Sequence, residues 1–195
     1  VQLHSIQYDG DRERAFDPEN GALKALIEGR EKEKLRYIGF TGHRDPQIHL
    51  DMLKMDFDWD AVQLPLNVLD AHYNSFQKRV LPVLNERNIA ALAMKSLAGG
   101  FARISGGVKV SAELCRRYTL SLPVSTLISG MQTLDEMRMM IDIARDFKPL
   151  TEAQINELLD KSKSHATTAD QEAYKDPKSG YGCSYHSQVL RAEQG

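Results

Sequence analysis

The sequence predicts an α/β protein built from repeating strand–helix units. Short runs rich in β-branched and apolar residues alternate with longer amphipathic stretches, at intervals of roughly 25 to 35 residues, which suit βα units. The strand runs are continuously apolar rather than alternating, which is typical of parallel strands covered on both faces. Two architectures fit this pattern: an open doubly wound sheet and a closed barrel.

Five segments have the composition of buried strands. They are residues 1–6, 37–41, 61–66, 89–94 and 124–129. The chain thus begins within a predicted strand and without an initiator Met, so we expect it to be the later part of a larger protein. Five strands are too few to close an eight-stranded barrel, and the expected piece would expose sheet edges.

The predicted helices have recognisable start signals. An aspartate before a proline suits a helix start, because proline lacks the N–H that would be unpaired at the first position. Other starts show capping-box spacing or close to it. The signals are Asp17-Pro18, Asp45-Pro46, Asn74 with Gln77, Thr133 with Glu136, and Thr151 with Gln154. The fourth helix carries an apolar stripe, predicted to be core, of Leu134, Met137, Met140, Ile141 and Ala144.

Composition favours a small-molecule partner. The 195 residues are 42% hydrophobic with a net charge of -2, and the basic residues are spread along the chain, so neither nucleic acid nor an anionic membrane is the expected partner. No apolar run reaches the roughly 18 residues of a membrane helix. Cys115 and Cys183 have neither metal nor disulfide spacing, and a reducing, cytoplasmic compartment is the expectation.

Polar residues cluster where the predicted strands end. No G-x-G-x-x-G motif follows the first strand, so a Rossmann dinucleotide site is not supported. If the strands form a barrel, their carboxyl ends make the rim where ligands bind. The residues at these ends are Thr41-Gly42-His43, Asn67, Lys95-Ser96 and Ser129-Gly130.

Four motifs in order resemble the second half of an aldo/keto reductase. They are Val1-Gln2-Leu3-His4, the run from Leu35 to His43, Val62-Gln63-Leu64-Pro65-Leu66-Asn67, and the run from Ala93 to Gly100. The resemblance covers residues 1 to about 147. It implies a partial (β/α)8 TIM barrel of about the last five βα units, with an extended nicotinamide cofactor, NADP or NAD, across its carboxyl-end rim.

The resemblance also implies the reduction of aldehydes or ketones, with a small-molecule carbonyl substrate. In the family a tyrosine protonates the carbonyl oxygen while hydride arrives from the nicotinamide, assisted by a lysine, an aspartate and a histidine. Of these groups only the histidine is matched here, by His4. Tyr8 and Tyr73 do not fall on the tyrosine motif, so the chain is expected to be catalytically incomplete. The alternative for His4 is a neutral histidine that lines the barrel.

The cofactor residues are better represented. By resemblance, Gln63 holds the nicotinamide carboxamide, which needs both a donor and an acceptor. Thr41 and His43 stand where relatives contact the same group, although Gly42 replaces a side-chain amide. Met94 stands where relatives stack an aromatic ring.

The loop after the fourth strand is matched to the cofactor pyrophosphate. Its glycines permit a close backbone approach. The residues concerned are Lys95, Ser96, Leu97, Gly99 and Gly100. Each of three residues also has a structural alternative. Gln63 satisfies backbone groups at the strand end, Met94 is a core residue of its strand, and Lys95 is a solvated surface residue.

The segment after the fifth strand is matched to the adenosine-phosphate site. Gly130, Gln132 and the helix start at Thr133 are expected to offer N–H groups to an anion. Relatives that prefer NADP have an arginine where this chain has Glu136, so no strong NADPH preference is predicted. The alternatives are that Glu136 only caps its helix, and that Arg138 reaches the phosphate instead.

The predicted organisation is a partial barrel over 1–149, a helix outside the barrel over 150–165 and a polar tail over 166–195. In the family such tails fold over the rim near the substrate. The candidate contributors are Tyr174, Tyr181 and Tyr185, whereas the spacing of Cys183 and His186 is only a weak metal signal. The functional alternative to a reductase fragment is a non-catalytic module that binds nucleotide or assembles with another chain.

Overall fold

The computed structural model describes residues 1–8, 10–100, 104 and 107–179. Its strands are β1 (Gln2–Leu3), β2 (Gly39–Thr41), β3 (Ala61–Pro65), β4 (Ala90–Met94) and β5 (Thr126–Leu127). The helices among these residues are α1 (Asp11–Ala15), α2 (Ala22–Glu31), α3 (Pro46–Leu53), α4 (Phe76–Arg79), α5 (Leu81–Glu86), α6 (Ala112–Leu120), α7 (Leu134–Arg145) and α8 (Glu152–Lys163). A 3₁₀ turn follows at Ala173–Lys175.

The strands form one parallel sheet in the order β1-β2-β3-β4-β5. A doubly wound sheet reverses its strand order partway, whereas a barrel adds each new strand on the same side. The sequential order therefore decides between the two predicted architectures in favour of barrel-type winding. Within the described residues β1 and β5 each pair on one side only, so the sheet is open.

The side chains on one face of the sheet are packed under helices. In β4, Ala91 and Ala93 are buried while their neighbours are partly exposed, so the alternate residues point to the concave side. A ring cluster on the covered side joins β2 to the segment before β3, with centroids of Phe40 and Trp59 4.9 Å apart and those of Phe57 and Trp59 4.7 Å apart. This packing is the apolar core that the continuous strand runs predicted.

A second core cluster lies under the later helices. Tyr118 and Cys115 of α6 pack with Leu158 of α8, and with Val68 and Leu69 of the segment after β3. Burial raises the pKa of the Cys115 thiol to about 12, so this cysteine is a packing residue. Helix α8 thus contributes Leu158 to this second cluster.

Most of the predicted helix starts are present. The Asp45 carboxylate accepts from the Gln47 N–H at 2.7 Å, with Pro46 at the first helical position. The Thr133–Glu136 and Thr151–Gln154 pairs both form reciprocal capping boxes. The Asp45 cap satisfies one backbone donor and each capping box satisfies two, so these local patterns fix helix starts.

Other predictions need correction. Asp17 accepts from Glu19 and Asn20 in a turn, and α2 begins only at Ala22. The cap of α4 is Ser75, one residue after the predicted Asn74. The strands are shorter than the apolar runs, because backbone pairing stops before the apolar character does.

The apolar stripe of α7 is not core in this structure. Leu134, Met137 and Ile141 are 69%, 49% and 39% exposed, while Ile143 is buried. A sequence stripe shows which helix face is apolar and not what covers it. Across the part of the chain that the structure describes, no helix combines the length and the apolar character needed to cross a membrane.

Candidate functional site

The carboxyl ends of the parallel strands meet at one edge of the sheet, and a cavity of about 430 Å³ opens there. It lies between the loop after β4 and the segment joining β5 to α7. Most of the residues predicted to bind cofactor line it: Lys95, Ser96, Leu97, Gly99, Gly130, Gln132 and Glu136. The remaining lining residues are Gly100, Arg116, Ile128 and Ser129.

The loop after β4 has an unusual backbone. Lys95, Ala98 and Gly99 have φ values of 55°, 50° and 83°, in the left-handed region that non-glycine residues rarely adopt. Two turns stabilise it, with the Ala98 N–H donating to the Lys95 carbonyl and the Gly100 N–H to the Leu97 carbonyl, both at 2.8 Å. Such strained positions concentrate at functional sites, and the loop wraps the wall of the cavity.

The start of α7 already contains an anion. The Glu136 carboxylate accepts from the Gln132 N–H at 2.6 Å and from the Thr133 N–H at 3.3 Å. These bonds, with Gln132 the largest cause, lower the pKa of Glu136, so it stays ionised. Two of the N–H groups that the sequence offered to an adenosine phosphate, those of Gln132 and Thr133, are therefore occupied by this chain's own carboxylate.

Arg116 of α6 is a cavity residue that the sequence analysis missed. Its side chain is among the largest that are fully buried, at 1% exposure, yet it lines the cavity. Its Nη1 donates to Met139 Sδ at 3.2 Å, and its Nε has no hydrogen-bond partner among the described residues. An arginine within an amphipathic helix is usually a surface residue, so no local signal indicated this position.

Gln63 and Met94 lie beside this cavity rather than in it. The Gln63 Nε2 contacts Met94 Sδ at 3.2 Å on the concave face of the sheet. Gln63 also lines a second cavity of about 590 Å³, most of whose lining lies at or before the strand starts Gly39, Ala61 and Ala90. That cavity therefore runs along the concave face toward the amino ends of the strands, and it shares only Ile128 with the first cavity. Thr41 is opposite Gln63 in the strand register and is buried.

His43 follows β2 and contacts Tyr174. The two ring centroids lie 5.7 Å apart, edge to face. Burial, reinforced by the charges of Lys95 and Arg44, lowers the pKa of His43 to about 3, so the ring is neutral at ordinary pH. The charge of His4 also contributes, as the smallest of these effects, to the lowered pKa of His43. His4 is exposed and lines a separate cavity of about 330 Å³ with Asp11 and Arg14.

The segment 172–176, called here the rim strap, lies across the strand ends. Lys175 Nζ donates to Asp70 Oδ1 and Glu172 Oε2, both at 2.7 Å, and to the Tyr73 carbonyl at 2.8 Å. Glu172 also accepts from the Tyr174 hydroxyl and from Asn67. All three charged side chains are at most 2% exposed.

Further contacts join the rim strap to the candidate site. Lys95 Nζ lies 5.0 Å from the centroid of the Tyr174 ring, a cation–π geometry. Arg44 donates to the Asp176 carbonyl at 3.0 Å and to the Tyr8 hydroxyl at 3.1 Å. The sequence suggested Tyr174 as a rim contributor but not the ion network. Tyr181, Tyr185, Cys183 and His186 lie outside the described residues.

Comparison with solved structures identifies the fold. An aldo-keto reductase from Bacillus halodurans, in its holo form, superposes with a TM-score of 0.62 at 17% identity, covering 88% of this chain and 60% of that one. A glycerol dehydrogenase from Gluconobacter oxydans gives 0.59 at 17% identity, covering 86% and 59%. A thermostable aldo-keto reductase in complex with the inhibitor epalrestat gives 0.54 at 16% identity, covering 83% and 60%.

The chain thus has a partial (β/α)8 barrel of five consecutive βα units. More particularly, its fold is that of the aldo-keto reductases, as the sequence motifs predicted. It spans about 60% of the length of these solved proteins. No protein-family model and no curated protein sequence matches it.

Proposed function

We propose that the chain provides the dinucleotide-binding part of an NAD(P)-dependent oxidoreductase that reduces aldehydes or ketones. The observation that carries the proposal is the rim cavity, where the strained loop after β4 meets the β5–α7 segment at the carboxyl ends of parallel strands. In barrels of this type ligands bind at that edge. The fold match to aldo-keto reductases supports the same assignment.

The residues present fit a dinucleotide in extended form. The cavity around Lys95 is polar, cationic and edged by glycines, which suits the phosphates. The Gln63 amide, beside Met94 on the concave face of the sheet, suits a nicotinamide carboxamide because it has a donor and an acceptor. Met94 contacts that amide and would cover the ring.

When bound, the cofactor would supply hydride for the carbonyl carbon, and a proton donor must serve the oxygen. Tyr174 does not suit that role. Its hydroxyl donates to Glu172 within a buried network, and burial raises its pKa well above the ordinary value. We propose instead that the proton donor, with its lysine and aspartate, comes from strands outside this chain, and that His4 orients the substrate.

The test is cofactor binding by the 195-residue chain, measured through nicotinamide fluorescence with NADH and NADPH. Gln63→Leu should weaken binding by about tenfold, because a carboxamide would lose its hydrogen bonds. Gln47→Leu, the same change on the exposed surface of α3, should leave binding within about twofold. Failure of both NADH and NADPH to bind, or equal effects of Gln63→Leu and Gln47→Leu on binding, would refute the proposal.

The second candidate is a module that assembles with another chain without catalysis. The exposed apolar face of α7 and the singly paired β1 and β5 favour assembly. Sedimentation velocity measures assembly, and oxidation of reduced cofactor by a panel of small aldehydes measures catalysis. Assembly that brings no turnover under any partner supplied would support the module.

A further inference from the structure

The rim cavity contains a buried cation that forms no ion pair within the described residues. Arg116 is 1% exposed, and no carboxylate of those residues forms an ion pair with it. Its only side-chain hydrogen-bond acceptor there is a thioether sulfur, which is a weak one. Burying an unpaired charge is expensive, so such a group gains stability when it pairs with an anion.

The position of Arg116 defines where that anion would lie. The side chain extends from α6 toward α7, where Met139 receives its Nη1, and it lines the cavity together with Lys95 and Ser96. Its guanidinium, whose buried Nε has no partner among the described residues, is a planar donor group of the kind that recognises phosphate oxygens. Two cationic side chains and one carboxylate, that of Glu136, therefore line the cavity.

The Glu136 carboxylate limits the number of backbone N–H groups that a bound phosphate could use. Glu136 occupies the Gln132 and Thr133 N–H groups, so the start of α7 has few donors left for a second anion. The charge of Arg116 acts on Glu136, whose pKa it lowers in addition to the larger effect of the Gln132 N–H. Arg116 is therefore, with Lys95, one of the two cationic side chains by which the cavity could bind an anion.

We propose that Arg116 is the phosphate-binding side chain of the rim cavity, and that it takes a phosphate or diphosphate group of an adenine nucleotide. This inference rests on the proposed function for the identity of the whole ligand, but not for the phosphate chemistry. Glu136 opposes the same anion, so the pair sets how tightly phosphate is held. Removal of the Arg116 charge should weaken phosphate binding, and removal of the Glu136 charge should strengthen it.

Calorimetric titration of the full chain with pyrophosphate, 5′-ADP, adenosine 2′,5′-bisphosphate and adenosine tests this. Arg116→Met, which keeps the side chain long and apolar, should weaken the phosphate-containing probe that the wild type binds by at least about tenfold and leave adenosine unchanged. Glu136→Gln, which retains capping ability, should tighten that probe. Sensitivity of pyrophosphate and 5′-ADP identifies a diphosphate, whereas sensitivity of the bisphosphate alone identifies the 2′-phosphate.

The controls separate binding from folding. Arg117→Met lies on the same helix, where Arg117 pairs with Glu113 at 2.8 Å, and should leave binding within about twofold. Arg116→Lys restores the charge and should retain more binding than Arg116→Met. Equal binding by wild type and Arg116→Met, or an equal loss for adenosine and pyrophosphate, would overturn the inference.

Titration of the same variants with NADH and NADPH keeps the two proposals apart. If the wild type binds pyrophosphate through Arg116 but neither nicotinamide cofactor, the phosphate site stands and the proposed function fails. If a nicotinamide cofactor binds equally well to wild type and Arg116→Met, the proposed function stands and the role of Arg116 fails.

Discussion

Removal of the Lys175 ammonium is the most demanding test of how the rim is held together. Lys175→Met deletes three hydrogen bonds of 2.7 to 2.8 Å and leaves Asp70 and Glu172 as two buried carboxylates without their cation. Removing one partner of a buried ion pair generally costs about 3–5 kcal/mol. The triad is fully buried, so we expect a loss of this size at about pH 7.5.

The pH dependence gives the prediction its sign. Burial is the main cause that raises the pKa of Asp70 to about 6, above its ordinary value of 3.8. A carboxyl group with a raised pKa favours the folded state below its ordinary pKa, and that contribution is lost as the pH rises through the folded value. Without Lys175 the pKa of Asp70 rises further, so the deficit of Lys175→Met should shrink toward about pH 5, where the carboxyls take up protons.

Urea unfolding followed by fluorescence of Trp59, the single tryptophan and a buried one, measures both effects. Lys161→Met is the matched control, because Lys161 pairs with Glu157 at 2.6 Å on the exposed face of α8. That change should cost less than about 1 kcal/mol. A deficit of Lys175→Met below about 1 kcal/mol, or one as large at pH 5 as at pH 7.5, would refute the reasoning.

Three further predictions concern the strand ends and α7. Gly42→Ala should destabilise the chain by at least about 1 kcal/mol in urea unfolding, because the added Cβ would overlap the Ile6 carbonyl oxygen; an unchanged midpoint would contradict this. Thr133→Ala should lower the free energy of unfolding by about 1 kcal/mol, because the Glu136 N–H loses the Thr133 hydroxyl as its acceptor; Thr133→Ser should restore most of it. The pKa of His43, about 3 because of burial, predicts that its ring signals stay fixed between about pH 5 and pH 8 in NMR titration, and a midpoint near pH 6.5 would contradict it.

The parts of the fold that the sequence predicts are those fixed by local interactions. The capping box at Thr133 is local, because donor and acceptor are three residues apart. The strands were visible as apolar runs, although where pairing stops depends on the neighbouring strand. Their order became predictable only through the family motifs, since the strand pattern fits both a barrel and a doubly wound sheet.

The parts that could not be predicted depend on distant partners. Asp70 and Lys175 are separated by 105 positions, and nothing near either residue indicates the other. Helix α7 shows the same limit for an apolar face. Met137 belongs to an apolar stripe, yet it is 49% exposed, because the stripe does not specify whether another element covers it. Sequence patterns specify faces, and only tertiary structure specifies their partners.

Lys175 and Arg116 show how partners distinguish a structural charge from a ligand-binding one. Both side chains are cationic and buried, and both lie at the carboxyl-end side of the sheet. Lys175 has two carboxylates and a carbonyl for its three N–H groups, so its cost of burial is offset within the fold. Arg116 has a thioether and, among the described residues, an Nε without any acceptor.

The same substitution by methionine should therefore have different effects on the empty protein at the two positions. At Lys175 it leaves two buried carboxylates without the cation that pairs with both, so it destabilises the fold. At Arg116 it removes an uncompensated charge, so stability in the absence of phosphate should be unchanged or higher. An anion that binds Arg116 in the folded state stabilises that state. The midpoint of thermal unfolding of the wild type should therefore rise with pyrophosphate concentration, whereas that of Arg116→Met should not.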